Sequence, residues 1–430
     1  MTVPEQAVPE RREKKHNLLQ ALGPGLITGA SDDDPSGIAT YSQVGAQFGY
    51  GLLWSMLFSY PLMATIQEIS ARLGRVTGHG IAGNMRRHYA PFWLWAITGL
   101  LVTANVINLG ADIGAMGSAV KLLIGGPALL YAALFALASV LLQVFVSYTR
   151  YARFLKWLTV SLLAYVATVF VVRVPWGTAL KATLLPHFSF NATSIQALVA
   201  VLGTTISPYL FFWQASEEVS DMDTHALEKP LRRDPEQAET QFHRIQTDTF
   251  IGMAFSNLVA YFIILTAAAV LHVHGKTDIQ TASQAAEALR PVAGPFAFVL
   301  FAAGIVGTGL LALPVLAGSA GYALGEALHW PVGLERKPYQ ARGFYWIIAL
   351  STLLGLSVVL LKVDPIKALF YSAIINGVAA APVMILIMFM TSNRRVMGQF
   401  TLKGWLKWIG WLATGVMTVA AIAMFTTLGK

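Results

Sequence analysis

The sequence predicts an all-α membrane protein of about eleven transmembrane helices, two groups of five related as inverted repeats plus one further helix. Three observations predict it. Hydrophobic residues fill 55% of the 430 positions and charged residues 12%, far from the balance of soluble domains. Apolar stretches of about 20 residues, enough to span a bilayer, recur along the chain. The stretch that opens each group of five is interrupted by glycine and proline, at 31–37 and at 203–208.

Residues 1–17 are polar and basic (Arg11, Arg12, Lys14, Lys15), and no small-residue cleavage site follows the next apolar stretch. They read as a cytoplasmic tail. The membrane domain is expected at 18–427. Its first span, about 18–46, is broken at 31–37, because proline removes a backbone donor and clashes with the preceding turn. The second span is expected at 52–73, the third at 93–123, the fourth at 127–147 and the fifth at 152–174, so that repeat one covers about 18–175. A loop with Pro175, Trp176 and Pro186 separates the groups. The sixth span, 194–219, contains Gly203-Thr204-Thr205-Ile206-Ser207-Pro208. A charged segment at 220–243 precedes the seventh span, 244–273, and a short amphipathic piece at 280–290 precedes the eighth, 293–325. The ninth (341–362) and tenth (365–391) complete repeat two, about 194–391, and 404–427 is the extra helix.

Lys and Arg positions test this count. With the N-terminus inside, the inside loops hold Arg75, Arg86, Arg87, Arg150, Arg153, Lys156, Lys229, Arg232, Arg233, Arg244, Arg336, Lys337, Arg342, Arg394, Arg395 and Lys403, and the outside loops chiefly Arg173, Lys181, Lys276, Arg290 and Lys362. Basic loops gather on the cytoplasmic side, so topology accounts for the net charge of +8, and a nucleic-acid partner is not expected. The expected setting is a monomer in the lipid bilayer of a prokaryotic inner membrane. Cysteine is absent, which excludes disulfides and thiolate ligands.

Groups of five start on opposite sides of the membrane, so a shared fold makes them inverted repeats. Paired Gly/Pro interruptions in matching positions point to a midplane transport site, and irregular backbone at that depth must line a cavity or be buried in protein. Unwinding frees carbonyl oxygens beside the carboxylate of Asp34, with Ser31, Ser36, Thr204 and Ser207 supplying neutral oxygens. An all-oxygen set suits a hard divalent cation, Mg²⁺, Mn²⁺ or Ca²⁺. Asp32 and Asp33 either attract cations into a vestibule or cap a helix end. Asn105, Asn108 and Asp112 fall on one face of the third span, lining an aqueous path or bonding to neighbouring helices. Glu217 and Glu218 read as solvated boundary charges or as an inner cation-attracting mouth. Gln43 and Gln214 read as packing residues, and His272 and His274 as loop histidines with no metal-ligand spacing inside a span.

Gly23-Pro24-Gly25, Asp34-Pro35-Ser36-Gly37 and Gly203 to Pro208 resemble the first and sixth helices of the NRAMP divalent-metal transporters. The resemblance covers the ten spans of both repeats. It implies the fold of the amino-acid/sodium symporters, with helices 1 and 6 unwound around a metal, no resident cofactor and no enzymatic activity. In that family the first motif ends in Asn where Gly37 stands, and the sixth-helix Ala and Met fall at Thr204 and Ser207. Tyr209 replaces a His, and Asn376 falls near a Gln of the tenth helix. Without the thioether nothing favours softer metals, and without the Asn side chain the site should be roomier for an ion that keeps its water. This pattern is similar to the NRAMP-related magnesium transporters. Asp112, Arg342 and Tyr209 make an incomplete proton route, so uptake of Mg²⁺, with Mn²⁺ beside it, is expected without proton coupling. The alternatives are a proton-coupled Mn²⁺/Fe²⁺ symporter and, further off, a sodium-coupled amino-acid symporter.

Overall fold

The computed structural model describes residues 28–29, 31–146, 160–224, 228–361 and 363–427. The expected tail, the Gly23-Pro24-Gly25 motif, the basic loop with Arg150, Arg153 and Lys156, and Lys362 lie outside them. Among the described residues the regular structure is helical throughout, without strands.

Helix α1 (Pro35–Phe48) starts where the sequence forces a start. Asp34 is extended (φ −70°, ψ 171°), its carboxylate accepts from the Gly37 amide, and Pro35 fills the first helical position, where no amide is needed. Gly49, at φ 56°, ends the helix. Then follow α2 (Leu53–Thr77), α3 (Ile81–His88), α4 (Pro91–Ile124), α5 (Ala128–Phe145), α6 (Leu163–Val171) and α7 (Trp176–Leu184). The second interruption is equally sharp: α8 (Ala192–Thr205) stops at Ile206 and α9 (Pro208–Thr224) begins at the proline. Next come α10 (Ala238–Val270), α11 (Ala297–Leu328), α12 (Arg342–Val359), α13 (Pro365–Ser392) and α14 (Gly404–Thr427), with short helical turns over 282–296. Among the described residues eight helical stretches are long and apolar enough to cross a membrane.

Each interrupted stretch lies inside the bundle. The α1 helix packs on α10, α13 and α8, while α9 packs on α2 and α11. The long α4 lies against α11, α12, α13 and α5. Helices approach closely between α8 and α13, where a Cβ on Gly203 would sit 2.0 Å from the Ala373 carbonyl oxygen, and equally between α2 and α9, where one on Gly74 would sit 2.0 Å from that of Ala215. Small residues allow such backbone approach where the bilayer offers no hydrophobic drive between helices. Outward faces carry exposed Phe145, Phe170, Trp346 and Trp408, the surface expected against lipid.

Glu217 and Glu218 are not solvated boundary charges. Glu218 is fully buried, 2.5 Å from Arg244 and 4.0 Å from the buried Arg75, which also meets Asp221 at 3.3 Å and pairs with Glu228. Glu217 accepts from Tyr322 at 2.9 Å. A buried charge is tolerable only when paired, and these pairs tie α9 to α2, α10 and α11.

Candidate metal site

Asp34 is the point where the two interruptions meet. Both of its oxygens are saturated. Oδ1 accepts from Ser36 Oγ at 2.6 Å and from the Gly37 amide at 2.8 Å, the bonds of a helix cap. Oδ2 accepts from Asn108 Nδ2 of α4 at 3.1 Å and from the Tyr209 hydroxyl of α9 at 3.2 Å. The carboxylate is 1% exposed. A second tyrosine bridges the other way: the Tyr41 phenol oxygen on α1 lies 3.0 Å from Thr204 Oγ1 at the end of α8. Each interruption therefore sends one tyrosine to the other.

Several expectations change here. Asp32 and Asp33 line no vestibule, being 1% and 2% exposed. Both face Ser256 of α10, whose Oγ lies 2.6 Å from Asp32 Oδ2 and 3.1 Å from Asp33 Oδ1. The space at Gly37 is not open, since a Cβ there would sit 3.2 Å from Tyr41 Cε2. The Tyr41 ring, one turn further along the same helix, takes the room an Asn side chain would need. Ser207 Oγ lies 2.8 Å from the Gly203 carbonyl oxygen and 2.9 Å from that of Thr204, finishing the end of α8. Its lone pairs remain for a ligand. Ser31 is buried in helical backbone just before the first interruption.

The polar face of α4 divides by function. Asn105 bonds to the Leu316 carbonyl at 2.9 Å and to Ser319 Oγ at 2.7 Å, both on α11, and is a packing residue. Asn108 reaches Asp34. Asp112 is buried near enough to Asp34 for their charges to interact, with the Ser36 backbone beside it, and neither oxygen makes a regular hydrogen bond. On α13, buried Asn376 has a side-chain oxygen without a partner. Arg342 is exposed at the start of α12. Gln214 pairs with Thr28, as a packing residue would, whereas Gln43 accepts from the Ile279 amide at 2.8 Å and ties α1 to a loop. His272 Nδ1 is bonded to the Ala46 carbonyl at 2.8 Å.

Sequence reasoning missed Tyr41, Ser256 and Ser372. Tyr41 was legible in part, because it follows Gly37 by four residues and so shares its face. Ser256 and Ser372 sit in apolar runs and carry no local signal. Among the described residues no group of three or more His, Cys, Asp or Glu is arranged to hold a metal. A divalent ion at Asp34 would meet its carboxylate, neutral oxygens and water, with the Asp112 carboxylate nearby, a set that suits a hard ion.

A sequence profile described as Nramp, natural resistance-associated macrophage protein-like, matches residues 25–427. The chain belongs to the Nramp family. Relatives of this Nramp protein include the divalent metal cation transporter MntH of Klebsiella pneumoniae, 27% identical over 408 residues, covering 93% of this chain and 92% of the relative. MntH of Pectobacterium carotovorum is 27% identical over 423 residues, with 96% and 95% covered. Among solved structures, the Eremococcus coleocola manganese transporter superposes with a TM-score of 0.77 at 18% identity, covering 98% of this chain and 89% of that one. MhsT in complex with L-phenylalanine gives 0.62 at 13% identity, with 94% and 97% covered. These likenesses establish that the Nramp chain has the fold the manganese transporter shares with MhsT.

Proposed function

We propose that this Nramp protein is a divalent metal transporter that carries hard cations, Mg²⁺ and Mn²⁺, inward across a prokaryotic inner membrane without coupled proton movement. The observation that carries the reading is the convergence of both helix interruptions on Asp34, whose partners are hydroxyl, amide and phenol groups. No His or thioether is among those partners, so nothing there favours a late transition metal. The names of the relatives support divalent metal transport as the class. Two inverted repeats within eleven spans would let the interruptions open alternately to each side, with Asp34 as the fixed point. An inward-negative membrane potential favours cation entry by roughly 2.3 kcal/mol per charge per 100 mV, so a divalent ion needs no proton to drive it. The second reading, proton-coupled Mn²⁺ transport, is favoured by the relatives named for manganese and by the buried Asp112.

Uptake into proteoliposomes separates the two. The expected outcome is Mn²⁺ entry that Mg²⁺ competes away, scaling with an imposed potential, at constant lumen pH. Mn²⁺ entry with lumen acidification and no competition by Mg²⁺ would establish the second reading instead. Combining Gly37→Asn with Ser207→Met should raise the Mn²⁺ over Mg²⁺ ratio by about tenfold if donor softness sets selectivity. Unchanged selectivity would remove the ligand argument.

A further inference from the structure

The hydrogen bonds around Asp34 pose a problem for any cation that reaches it. Oδ1 is held by the Ser36 hydroxyl and by the Gly37 amide, which the helix fixes in place. Entry is left to Oδ2, where two donors, Asn108 Nδ2 and the Tyr209 hydroxyl, now point. A phenol can rotate its proton away and offer a lone pair. The amide of Asn108 cannot, because its NH₂ end carries only donors.

Ser372 offers a way out. Its Oγ lies 2.7 Å from Asn108 Oδ1 and 2.8 Å from the Leu369 carbonyl oxygen, all within the buried interior. A hydroxyl has one proton and two lone pairs, so Ser372 donates to one of these acceptors at a time. When it donates to Asn108, the amide nitrogen faces Asp34, as observed. When it donates to Leu369, it presents a lone pair to Asn108. The amide can then turn over, giving its NH₂ to Ser372 and its carbonyl oxygen to the Asp34 side. Beside a bare carboxylate that arrangement sets two acceptors face to face, whereas beside a cation it supplies a ligand. One turn beyond Asn108 on α4 lie the unbonded oxygens of Asp112, and one turn beyond Ser372 on α13 lies that of Asn376. These are further buried oxygens close to the exchange, those of Asp112 beside the Ser36 backbone and that of Asn376 without a partner.

Resting on the reading of Asp34 as the metal site, we propose that Asn108 is a cation ligand whose side-chain amide turns over when the ion arrives, with Ser372 as the positioning residue that satisfies both orientations. The exchange is charge-neutral, since one hydroxyl rotates and one amide turns. It gives the metal a third helix to bind, α4, beside α1 and α9, and ties site occupancy to the contact between α4 and α13.

The test uses the purified full-length chain in detergent with Mn²⁺ and Mg²⁺ chloride. Titration calorimetry should show Ser372→Ala weakening Mn²⁺ binding about tenfold, with Ser372→Thr, which keeps the hydroxyl, within about twofold of wild type. Infrared difference spectra of protein with ¹³C-labelled asparagine should show a side-chain carbonyl band that moves on Mn²⁺ addition and is absent from Asn108→Leu. The spectral readout on the unmutated chain holds whether or not a variant folds. Wild-type affinity in Ser372→Ala, an equal loss in Ser372→Thr, or no movement of the Asn108 band while Mn²⁺ binds would each overturn the amide exchange. In those cases loss of binding in Asp34→Asn leaves the metal site standing. Undiminished binding in Asp34→Asn removes the site itself.

Discussion

Asp34 does two jobs with one carboxylate, and its variants should separate them. As the cap of α1 it satisfies the Gly37 amide through Oδ1, and as the candidate ligand it offers Oδ2. Asn is a good cap without the charge, so Asp34→Asn should keep its thermal midpoint while losing Mn²⁺ binding in calorimetry. Asp34→Ala should lose binding and also about 1 kcal/mol of stability, read as a lowered midpoint. Equal midpoints in the two variants would show that the cap contributes nothing. At Gly37 the sequence suggested free space, but Tyr41 lies four residues away on the same face and fills it. Inserting Asn there therefore requires the Tyr41 ring to give by a few tenths of an ångström before selectivity can change.

At the scale of helices, the two interruptions are positioned by contacts their own sequences do not reveal. The α8 helix rests on α13 through the Gly203 approach to Ala373. Gly203→Ala should push the two helices apart at a cost of about 1–3 kcal/mol, measurable as a lowered unfolding midpoint. An unchanged midpoint would mean that the approach relaxes freely. The α9 helix is held by charge instead. Arg75, fully buried on α2, faces Glu218, Asp221 and Glu228, so Arg75→Met leaves carboxylates short of a partner. That change should cost about 3 kcal/mol, assayed by thermal unfolding in detergent. Glu218 keeps Arg244 at 2.5 Å, and for this reason the loss should be partial.

For the molecule as a whole, one titrating group outside the spans sets a pH dependence. His79, in the turn between α2 and α3, has its pKa pushed from 6.5 down to about 4 by burial first and then by the positive charges of Arg87 and Arg233. The folded state thus takes up this proton less readily than the unfolded chain. Its contribution to stability is complete above pH 6.5 and falls as pH drops from 6.5 towards 4, because the unfolded state binds more protons over that window. His79→Gln should flatten the fall of the unfolding midpoint between those pH values. An identical slope in the variant would place the dependence elsewhere.

What the sequence determined by itself was local or additive. Composition and apolar run length indicated a membrane protein, Pro35 and Pro208 marked the two interruptions, and Asp34 stood out as an acid set beside one of them. Backbone chemistry acts within a few residues, so these features are readable without the fold. The tertiary structure decided which groups meet. Asn108 reaches across 74 positions to Asp34, Ser372 across 264 to Asn108, and Ser256 across 224 to Asp32. A serine in an apolar helix looks the same on paper whether it packs or switches an amide. Only the crossing of α1, α4, α9 and α13 assigns it a partner, because hydrogen bonds are made over about 3 Å, wherever the chain brings the groups together.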